Sequence, residues 1–310
     1  MLCIHHNDLD GRCAAYWVDK HFRGKEPVEF IEMNYDREFP LDDIKEGEIV
    51  WIVDFSLTPE MMTKLLEKTK EVVWIDHHES VIEEYKGFEE DIPGIRYIGR
   101  CGAYLTWLYT TREDFRAACA GEENGVGNIE EFIESMWDSC PYATKLVDDY
   151  DVFILSMVNT MPFYYGTCME YTAPDGPFWY HVHSNEKYLD QLINVGKVIQ
   201  KYTFRMNNEW LGMCGYEATM NGKKCFVMNT PAMGSMTFGE KLNKYPFVAK
   251  ITWNGEFWNV SLYSNKETGE DVSKIAQKQM FNGRSGGGHV NAAGFFCEEL
   301  PFKKVANEQD

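Results

Sequence analysis

Basic residues are scarce in this chain of 310 residues: 30 lysines and arginines stand against 49 aspartates and glutamates, a formal net charge of −19. Proteins that wrap duplex nucleic acid or lie on anionic lipid need a basic surface, so neither partner is expected. Long apolar runs are absent too, and the strongest, VFILSMV at 152–158, is far too short to cross a bilayer. A small anionic ligand held in a local pocket with metal cations remains compatible with this charge.

Cysteine pairs with metal-binding spacing are also missing. The nine cysteines are an odd number and include no CxxC motif. This pattern predicts reduced thiols rather than a disulfide framework or a structural zinc site. The first residues, MLCIHHNDLDG, become polar at the fifth position, so no signal peptide is expected. We therefore expect a soluble cytoplasmic protein.

The first half of the chain alternates short apolar runs with helix-like segments. The runs are β-branched or aromatic, which is typical of strands covered on both faces, and lie at 1–4, 28–33, 49–53 and 71–75. Between the last two, SLTPEMMTKLLEKT predicts a helix that Ser56 or Thr58 caps, with Pro59 in its first turn. Strands that alternate with helices predict an α/β fold with a doubly wound parallel sheet.

The pattern changes further along the chain. Helices are predicted at 100–119 and 129–138, a strand in KLVDDYDVFIL (145–155), and an irregular aromatic segment at 160–184. Residues 186–211 predict one long helix.

Hairpins are predicted beyond this helix, because Asn221-Gly222 and Asn254-Gly255 each lie between strand-like runs. The resulting division is a catalytic domain at 1–185, a connector helix at 186–211, and a smaller mixed-sheet α/β domain at 212–310.

Acids and histidines follow the predicted strands of the first domain. They are His5, His6, Asp8 and Asp10 after the first strand, Asp54 after the third, Asp76, His77 and His78 at the fourth, and Asp148, Asp149 and Asp151 in the 145–155 segment. The carboxyl ends of parallel strands share one edge of the sheet, where ligands bind. Four separate segments are therefore expected to deliver carboxylates and imidazoles to one place.

Crowded carboxylates repel one another unless cations lie between them. Carboxylate and imidazole ligands suit Mn²⁺ well, and Mg²⁺, Fe²⁺ or Co²⁺ are the alternatives. One carboxylate on a central strand can bridge two ions about 3.5–4 Å apart, the spacing of two-metal phosphoester hydrolysis. The acids therefore predict a metal-dependent hydrolytic site.

A glycine-rich motif, GRSGGGHVNAAGF at 283–295, lies in the second predicted domain. Gly286, Gly287 and Gly288 allow backbone conformations in which amide groups converge on a phosphate. His289 can donate a hydrogen bond to a phosphate oxygen, and Arg284 adds a charged fork. We expect this motif to bind the substrate.

Together these motifs resemble the DHH phosphoesterase superfamily. HNDLDG (6–11), Asp54 in IVDFSL, Asp76-His77-His78 and the DDYD segment (148–151) are similar to its four signature motifs, and GAYLTW (102–107) also resembles that family. GRSGGGHVNAAGF is similar to the GGGHxxAAG signature of the DHH-associated substrate-binding domain of the first subtype. The resemblance covers essentially the whole chain and implies a stand-alone oligoribonuclease or short-nucleotide phosphohydrolase.

The resemblance also implies a role for each residue. One metal ion would be held by His6, Asp8 and Asp54, and the other by Asp10, Asp54, His77 and an aspartate of the fourth motif, so that Asp54 is the bridge. For that aspartate, Asp149 is the first choice, Asp151 the alternative and Asp148 the last. His78 would face the phosphate or the attacking water, with His289 as the second catalytic histidine. Asp76 would orient a ligand imidazole, and His5 is a neighbour of His6.

The predicted function is hydrolysis of phosphodiester bonds in short oligonucleotides by a Mn-dependent, two-metal enzyme. The alternatives on the same site are a cyclic mononucleotide or dinucleotide, or a 3′-phosphoadenosine-type substrate. Pyrophosphatase or polyphosphatase activity ranks lower, because those relatives lack GGGH and have a longer gap than that between His6 and Asp8. An inactive nucleotide sensor ranks last, since no ligand is missing. The sequence does not decide whether the protein forms a homodimer. It also does not decide from which end of an oligonucleotide hydrolysis proceeds.

Overall fold

The computed structural model of the chain describes residues 1–35, 37–121, 126–231, 234–265, 267 and 269–305, and leaves out the side chains of Ser80, Arg284 and His289. The chain divides into two compact units, Met1–Gln200 and Lys201–Asp310. The division falls within one helix, Glu186–Cys214, and the connector predicted at 186–211 lies inside this helix.

The first unit alternates strands and helices along the chain. In order, the elements are β1 (Leu2–His6), α1 (Leu9–Phe22), β2 (Glu29–Met33), β3 (Ile49–Val53), α2 (Pro59–Lys68), β4 (Glu71–Asp76), α3 (Glu79–Glu84), β5 (Gly94–Arg96), α4 (Gly102–Thr111), α5 (Glu113–Cys119), α6 (Ile129–Ser135), α7 (Tyr142–Asp151), α8 (Thr160–Thr167), α9 (Pro177–Ser184) and α10 (Glu186–Cys214).

The strands form one sheet in the order β2-β1-β3-β4-β5, and all neighbouring pairs are parallel. Apolar side chains alternate between its faces: Ile4 and Ile52 pack in the core that contains Met62 of α2, while Cys3 and Val53 pack in the core on the other face. Both faces are therefore buried, which explains the near-continuous apolarity of these runs. The predicted doubly wound parallel sheet is confirmed.

The start of α2 settles an alternative that the sequence left open. The Thr58 hydroxyl accepts from the Met61 backbone N–H at 3.3 Å, so Thr58 is the cap, and Pro59 occupies the first helical turn. The Ser56 hydroxyl instead donates to Asp76. Ser56 thereby becomes part of the polar cluster described below.

Two predictions for the first unit are wrong. Residues 145–151 belong to α7 rather than to a strand, and 160–184 contains α8 and α9. The buried residues Ala143, Leu146 and Val147 have the i, i+3, i+4 spacing of a helix face. The apolar run that follows Asp151 hides this helical pattern within a strand-like stretch.

The second unit contains β6 (Gly215–Met220), β7 (Lys223–Asn229), α11 (Lys241–Lys244), β8 (Val248–Trp253), β9 (Trp258–Tyr263), α12 (Val272–Gln277), β10 (Met280–Phe281), β11 (Arg284–Ser285), β12 (Gly287–His289), β13 (Ala292–Cys297) and β14 (Lys303–Lys304). Its main sheet has the order β12-β13-β9-β8-β7-β6-β14. Among the described strands of this sheet, β7 and β8 are the pair that runs in parallel. The predicted smaller mixed sheet is confirmed.

The predicted turn at Asn221-Gly222 joins β6 and β7, and both residues have positive φ, +52° and +78°. This is the conformation that a two-residue hairpin turn requires. Across the described part of the chain, no helix is both long and apolar enough to span a membrane.

A partly buried histidine joins α1, α7 and α9. The Trp17 indole N–H donates to the Thr144 hydroxyl at 3.2 Å, and this hydroxyl donates to His183 Nε2 at 2.8 Å. On its other side, His183 Nδ1–H donates to the Trp179 carbonyl at 2.7 Å. This chain of bonds fits the neutral imidazole, and burial lowers the pKa of His183 to about 4.

We therefore expect His183 to make stability fall as the pH falls. In the unfolded chain it binds a proton below about pH 6.5, and in the folded chain only below about pH 4, so its contribution is complete above 6.5 and is lost on the way to 4. Between pH 7 and 5 the loss is about 2 kcal/mol. Urea unfolding should show this fall in the wild type and a shallower one in His183→Gln. Equal pH slopes would contradict the assignment.

Candidate metal centre

The carboxyl ends of β1, β3 and β4 bring histidines and carboxylates together at one edge of the sheet. Among the described residues, the possible ligand atoms lie within 4.8 Å of one another in three groups: His6, Asp8 and Asp54; Asp10, His77 and Asp151; and Asp54, Asp76, His77 and His78. The groups overlap at Asp54 and His77. The convergence expected from the sequence is therefore present in the structure.

Asp54 lies at the centre of this cluster. It follows β3 directly, has a φ of +53°, and has a side chain that is 1% exposed. Its Oδ1 atom lies 3.0 Å from His77 Nε2, and its Oδ2 atom lies 3.9 Å from His6 Nδ1. The left-handed backbone is strained for a residue with a side chain, and such strain typically occurs at functional sites.

The Oδ2 atom of Asp54 is buried and receives no hydrogen bond from any described residue. Burial, together with the nearby carboxylates of Asp10 and Asp8, raises the pKa of Asp54 well above its usual value. An unpartnered oxygen among like charges is the environment that a divalent cation relieves. The residues present therefore fit a bound metal.

His6 and Asp8 flank Asp54 on one side. His6 Nδ1 and Asp8 Oδ2 are 2.7 Å apart, and Asp8 Oδ1 accepts from the Gly11 N–H at the start of α1. Partial desolvation alone would raise the pKa of Asp8, but the hydrogen bond to His6 and its charge lower it to about 2. Asp8 thus caps α1, and this contact fixes the position of its carboxylate. The HNDLDG motif therefore has a structural role as well as a chemical one.

Asp10 is held by the N-terminus of α4. Its two carboxylate oxygens accept from the backbone N–H groups of Gly102 and Ala103 at 2.7 and 2.8 Å. The first helical turn favours negative charge, so α4 orients this buried carboxylate. His77 Nε2 is 3.7 Å from Asp10 Oδ2 and belongs to the same group of ligand atoms. The GAYLTW segment therefore supports the site through its backbone.

Of the aspartates in the fourth motif, the structure brings Asp151 to the cluster. Its Oδ2 atom lies 3.4 Å from His77 Nε2, and burial with the neighbouring carboxylates raises its pKa well above the usual value. Asp148 lies on the same face of α7, three residues earlier, where it accepts from the Cys101 N–H at 2.7 Å and from Arg100 at 3.1 Å. Asp148 therefore ties α7 to the start of α4.

Asp149, the first choice from the sequence, is not brought to the cluster. Its carboxylate accepts from the Ser156 N–H and hydroxyl, at 2.9 and 2.8 Å, from the Met157 N–H at 3.0 Å, and from the Thr160 hydroxyl. In a strand, Asp149 and Asp151 would share a face, but in a helix successive residues rotate by about 100°. The error at Asp149 therefore follows from the missed helix.

Asp76 and His78 form a pair beside the other possible metal ligands. Asp76 Oδ1 accepts from His78 Nδ1–H and from the His77 backbone N–H, both at 2.8 Å, while Oδ2 accepts from Ser56. Burial alone would lower the pKa of His78, but the bond to Asp76 raises it above its usual value. Burial lowers the pKa of His77, which favours the neutral form that binds metals. Asp76 thus orients His78, and not the imidazole of His77.

Two aromatic residues that the sequence did not single out adjoin these histidines. Tyr35 follows β2, and its ring stacks on Phe55, with centroids 4.8 Å apart and planes inclined by 27°. The Tyr35 ring centroid also lies 5.7 Å from that of His6 and 6.5 Å from that of His78. An exposed aromatic residue just after a predicted strand of the same sheet is the signal that would have found Tyr35.

The GGGH motif of the second unit lies in an edge strand, and the phosphate binding expected of it stays a prediction. Gly287 and Gly288 pair with β13 as an edge strand, and the Gly286 N–H donates to the Gln279 carbonyl at 2.9 Å. A Cβ at Gly286 would lie 2.6 Å from the Ala276 carbonyl oxygen, so close packing explains this glycine. The backbones of Arg284 and His289 lie in β11 and β12, and their side chains lie outside the described part.

Gly102 has no room for a side chain, and this predicts a severe effect of Gly102→Ala. The added Cβ would lie 2.6 Å from the Asp54 Cβ and 3.1 Å from Asp10 Oδ2. We expect the unfolding free energy to fall by about 1–3 kcal/mol and metal affinity to fall with it. Denaturant unfolding and metal titration measure both. Gly212→Ala is the control, because its Cβ meets nothing within 4 Å, and it should be neutral or stabilising.

No protein-family model and no curated protein sequence matches the chain. RecJ from Thermus thermophilus, solved in complex with Mn²⁺, is similar over 95% of this chain and 49% of its own, at 12% identity and a TM-score of 0.53. An exonuclease RecJ bound to manganese is similar at 12% identity over 95% of this chain and 84% of its own, with a TM-score of 0.48. A pGpG-specific phosphodiesterase, PggH from Vibrio cholerae, is similar at 13% identity over 96% and 93%, with a TM-score of 0.47.

The similarity to the Thermus RecJ concerns the fold, and the α/β fold that the motif resemblance implied is present. More particularly, the chain shares the fold of the Thermus RecJ and spans about half of its length, 49%.

Proposed function

We propose that this chain is a metal-dependent phosphoesterase that hydrolyses phosphodiester bonds of short oligonucleotides and binds two divalent cations. The observation that carries the proposal is Asp54: its buried Oδ2 atom lacks a hydrogen bond within the described structure, and the residue belongs to two groups of possible ligands. Such a carboxylate is suited to bridge two cations. The relation to the fold of a Mn²⁺-bound RecJ is in keeping with this.

The proposed ligands are His6, Asp8 and Asp54 for one cation, and Asp10, Asp54, His77 and Asp151 for the other. Imidazole with carboxylate suits manganese, and magnesium, cobalt or iron are alternatives. Cations bound there would supply Lewis-acid stabilisation of phosphate oxygens and lower the pKa of water. His78, held by Asp76 and with a raised pKa, is proposed to donate a hydrogen bond or a proton to the phosphate.

A short substrate is proposed because of the net charge of −19, which disfavours approach of a long polyanion. In the second unit, Arg284, His289 and the glycines at 286–288 are proposed to bind the nucleotide portion. This second assignment rests on the sequence motif.

The test is hydrolysis by the whole chain in the presence of Mn²⁺, with EDTA-treated protein as the control. The substrates are 5′-labelled RNA of two to ten nucleotides, cyclic mono- and dinucleotides, 3′-phosphoadenosine phosphate and pyrophosphate. We expect release of mononucleotides from the shortest RNA, declining with length. Preferential hydrolysis of a cyclic nucleotide or of 3′-phosphoadenosine phosphate would make that compound, rather than short RNA, the proposed substrate. No hydrolysis with any divalent metal would refute the phosphoesterase assignment.

A further inference from the structure

The ring of Tyr35 lies beside the candidate metal centre and is only partly covered. Tyr35 is 54% exposed, although one face of its ring stacks on Phe55, which is 3% exposed. The exposed area of Tyr35 therefore lies away from the face that Phe55 covers. A single exposed tyrosine is common on protein surfaces and by itself needs no explanation.

The neighbours of Tyr35 make this exposure informative. Its ring centroid lies 5.7 Å from that of His6, a proposed ligand, and 6.5 Å from that of His78. The supporting ring belongs to Phe55, the residue that follows Asp54. An open aromatic face thus stands directly beside the proposed phosphate position.

The support beneath Tyr35 is rigid. Phe55 packs in the core with Ile52 and Met62, and the Phe55 carbonyl accepts from the Trp74 indole N–H at 3.2 Å. Because Phe55 already fixes the ring of Tyr35, stacking of a ligand ring on Tyr35 costs little conformational entropy. The geometry is therefore that of a preformed surface for a planar ligand group.

We propose that Tyr35, supported by Phe55, is a stacking platform for the nucleobase adjoining the phosphate at the metal centre, which rests on the proposed phosphoesterase function. A nucleobase is the planar group that lies one sugar away from a phosphate. Stacking is tolerant of base identity, because every base presents a π-face. Tyr35 therefore distinguishes ligands with a base from ligands without one, and does not distinguish one base from another.

The test compares binding of AMP with binding of ribose 5-phosphate to the whole chain in the presence of Mn²⁺. These ligands share sugar and phosphate and differ in the base. Base–aromatic stacking predicts that the wild type binds AMP more tightly, by roughly 5- to 150-fold, and that Tyr35→Ala lowers this ratio at least about fivefold. Tyr35→Phe should restore the ratio, because it keeps the ring. Tyr180→Ala, which removes another half-exposed tyrosine of the first unit, should leave the ratio unchanged.

The same variants are then assayed on dinucleotides that carry either both bases or one abasic position. Tyr35→Ala should raise KM for the normal dinucleotide and have no further effect when the stacked base is missing. An unchanged binding ratio in Tyr35→Ala, or no base preference in the wild type, would overturn the platform. If the wild type hydrolyses no substrate but the ratio behaves as expected, the platform stands and the proposed hydrolysis fails.

Discussion

In Asp54→Asn, hydrolysis is expected to fall by roughly 1,000-fold or more, about 4 kcal/mol of transition-state stabilisation, and metal-induced stabilisation is expected to disappear. Asp54 lies in two of the three groups of possible ligands, whereas Asp8 and Asp10 each lie in one, so under the proposed function Asp54 would serve both cations. Asp8→Asn and Asp10→Asn should therefore have smaller effects. Asparagine also tolerates the left-handed backbone at this position, so the strand connection is preserved.

In the absence of metal, the substitution Asp54→Asn is expected to stabilise the protein. Removal of a buried charge from among the neighbouring carboxylates should raise the unfolding free energy of Asp54→Asn by about 1 kcal/mol. Thermal unfolding with EDTA and with Mn²⁺ measures both effects, and elemental analysis gives the metal content. Asp190→Asn, at an exposed position on α10, is the matched control. Wild-type metal content in Asp54→Asn would disprove the bridging role.

Asp151→Asn and Asp149→Asn are expected to separate metal binding from stability. Asp151 faces His77, so its substitution should reduce activity and metal affinity at least about 100-fold while the metal-free protein stays folded. Asp149 instead accepts four hydrogen bonds from the segment after α7. Its substitution should lower the unfolding free energy by about 2–4 kcal/mol, because hydrogen bonds to a charged group are among the stronger ones.

Both variants should be compared below the lower melting temperature, so that activity is measured on folded protein. Asp149→Asn should then retain metal content and most of its activity per folded molecule. If Asp149→Asn loses metal at this temperature while Asp151→Asn keeps it, the assignment of the fourth motif must be reversed.

Much of the fold was predictable because its signals are local in the chain. The apolar runs at β1, β3 and β4 are short and continuous, as strands buried on both faces require, and Asn221-Gly222 meets the needs of a hairpin turn. The cluster was predictable for a related reason. Parallel strands end at one edge, so polar residues that follow them must converge.

The assignment at α7 shows where such reasoning stops. In the segment 145–155, the residues before Asp151 have helical spacing and an apolar run follows Asp151. The apolar run is the stronger local signal, so the sequence pattern alone favours a strand. Packing of Ala143, Leu146 and Val147 into the core stabilises the helix. Since helix and strand turn side chains at different angles, the choice between them decides which aspartate reaches His77 and the other possible ligands.

The residue types of the site and the edge at which they meet were thus contained in the sequence, because strand period and strand direction are properties of neighbouring residues. The orientation of each side chain depended on partners far away in the chain. Asp10 is held by backbone groups 92 and 93 residues later, Asp76 by Ser56, and the open face of Tyr35 by Phe55. Only the packed tertiary structure brings these partners together, since hydrogen bonds and ring contacts depend on distances that no local pattern encodes.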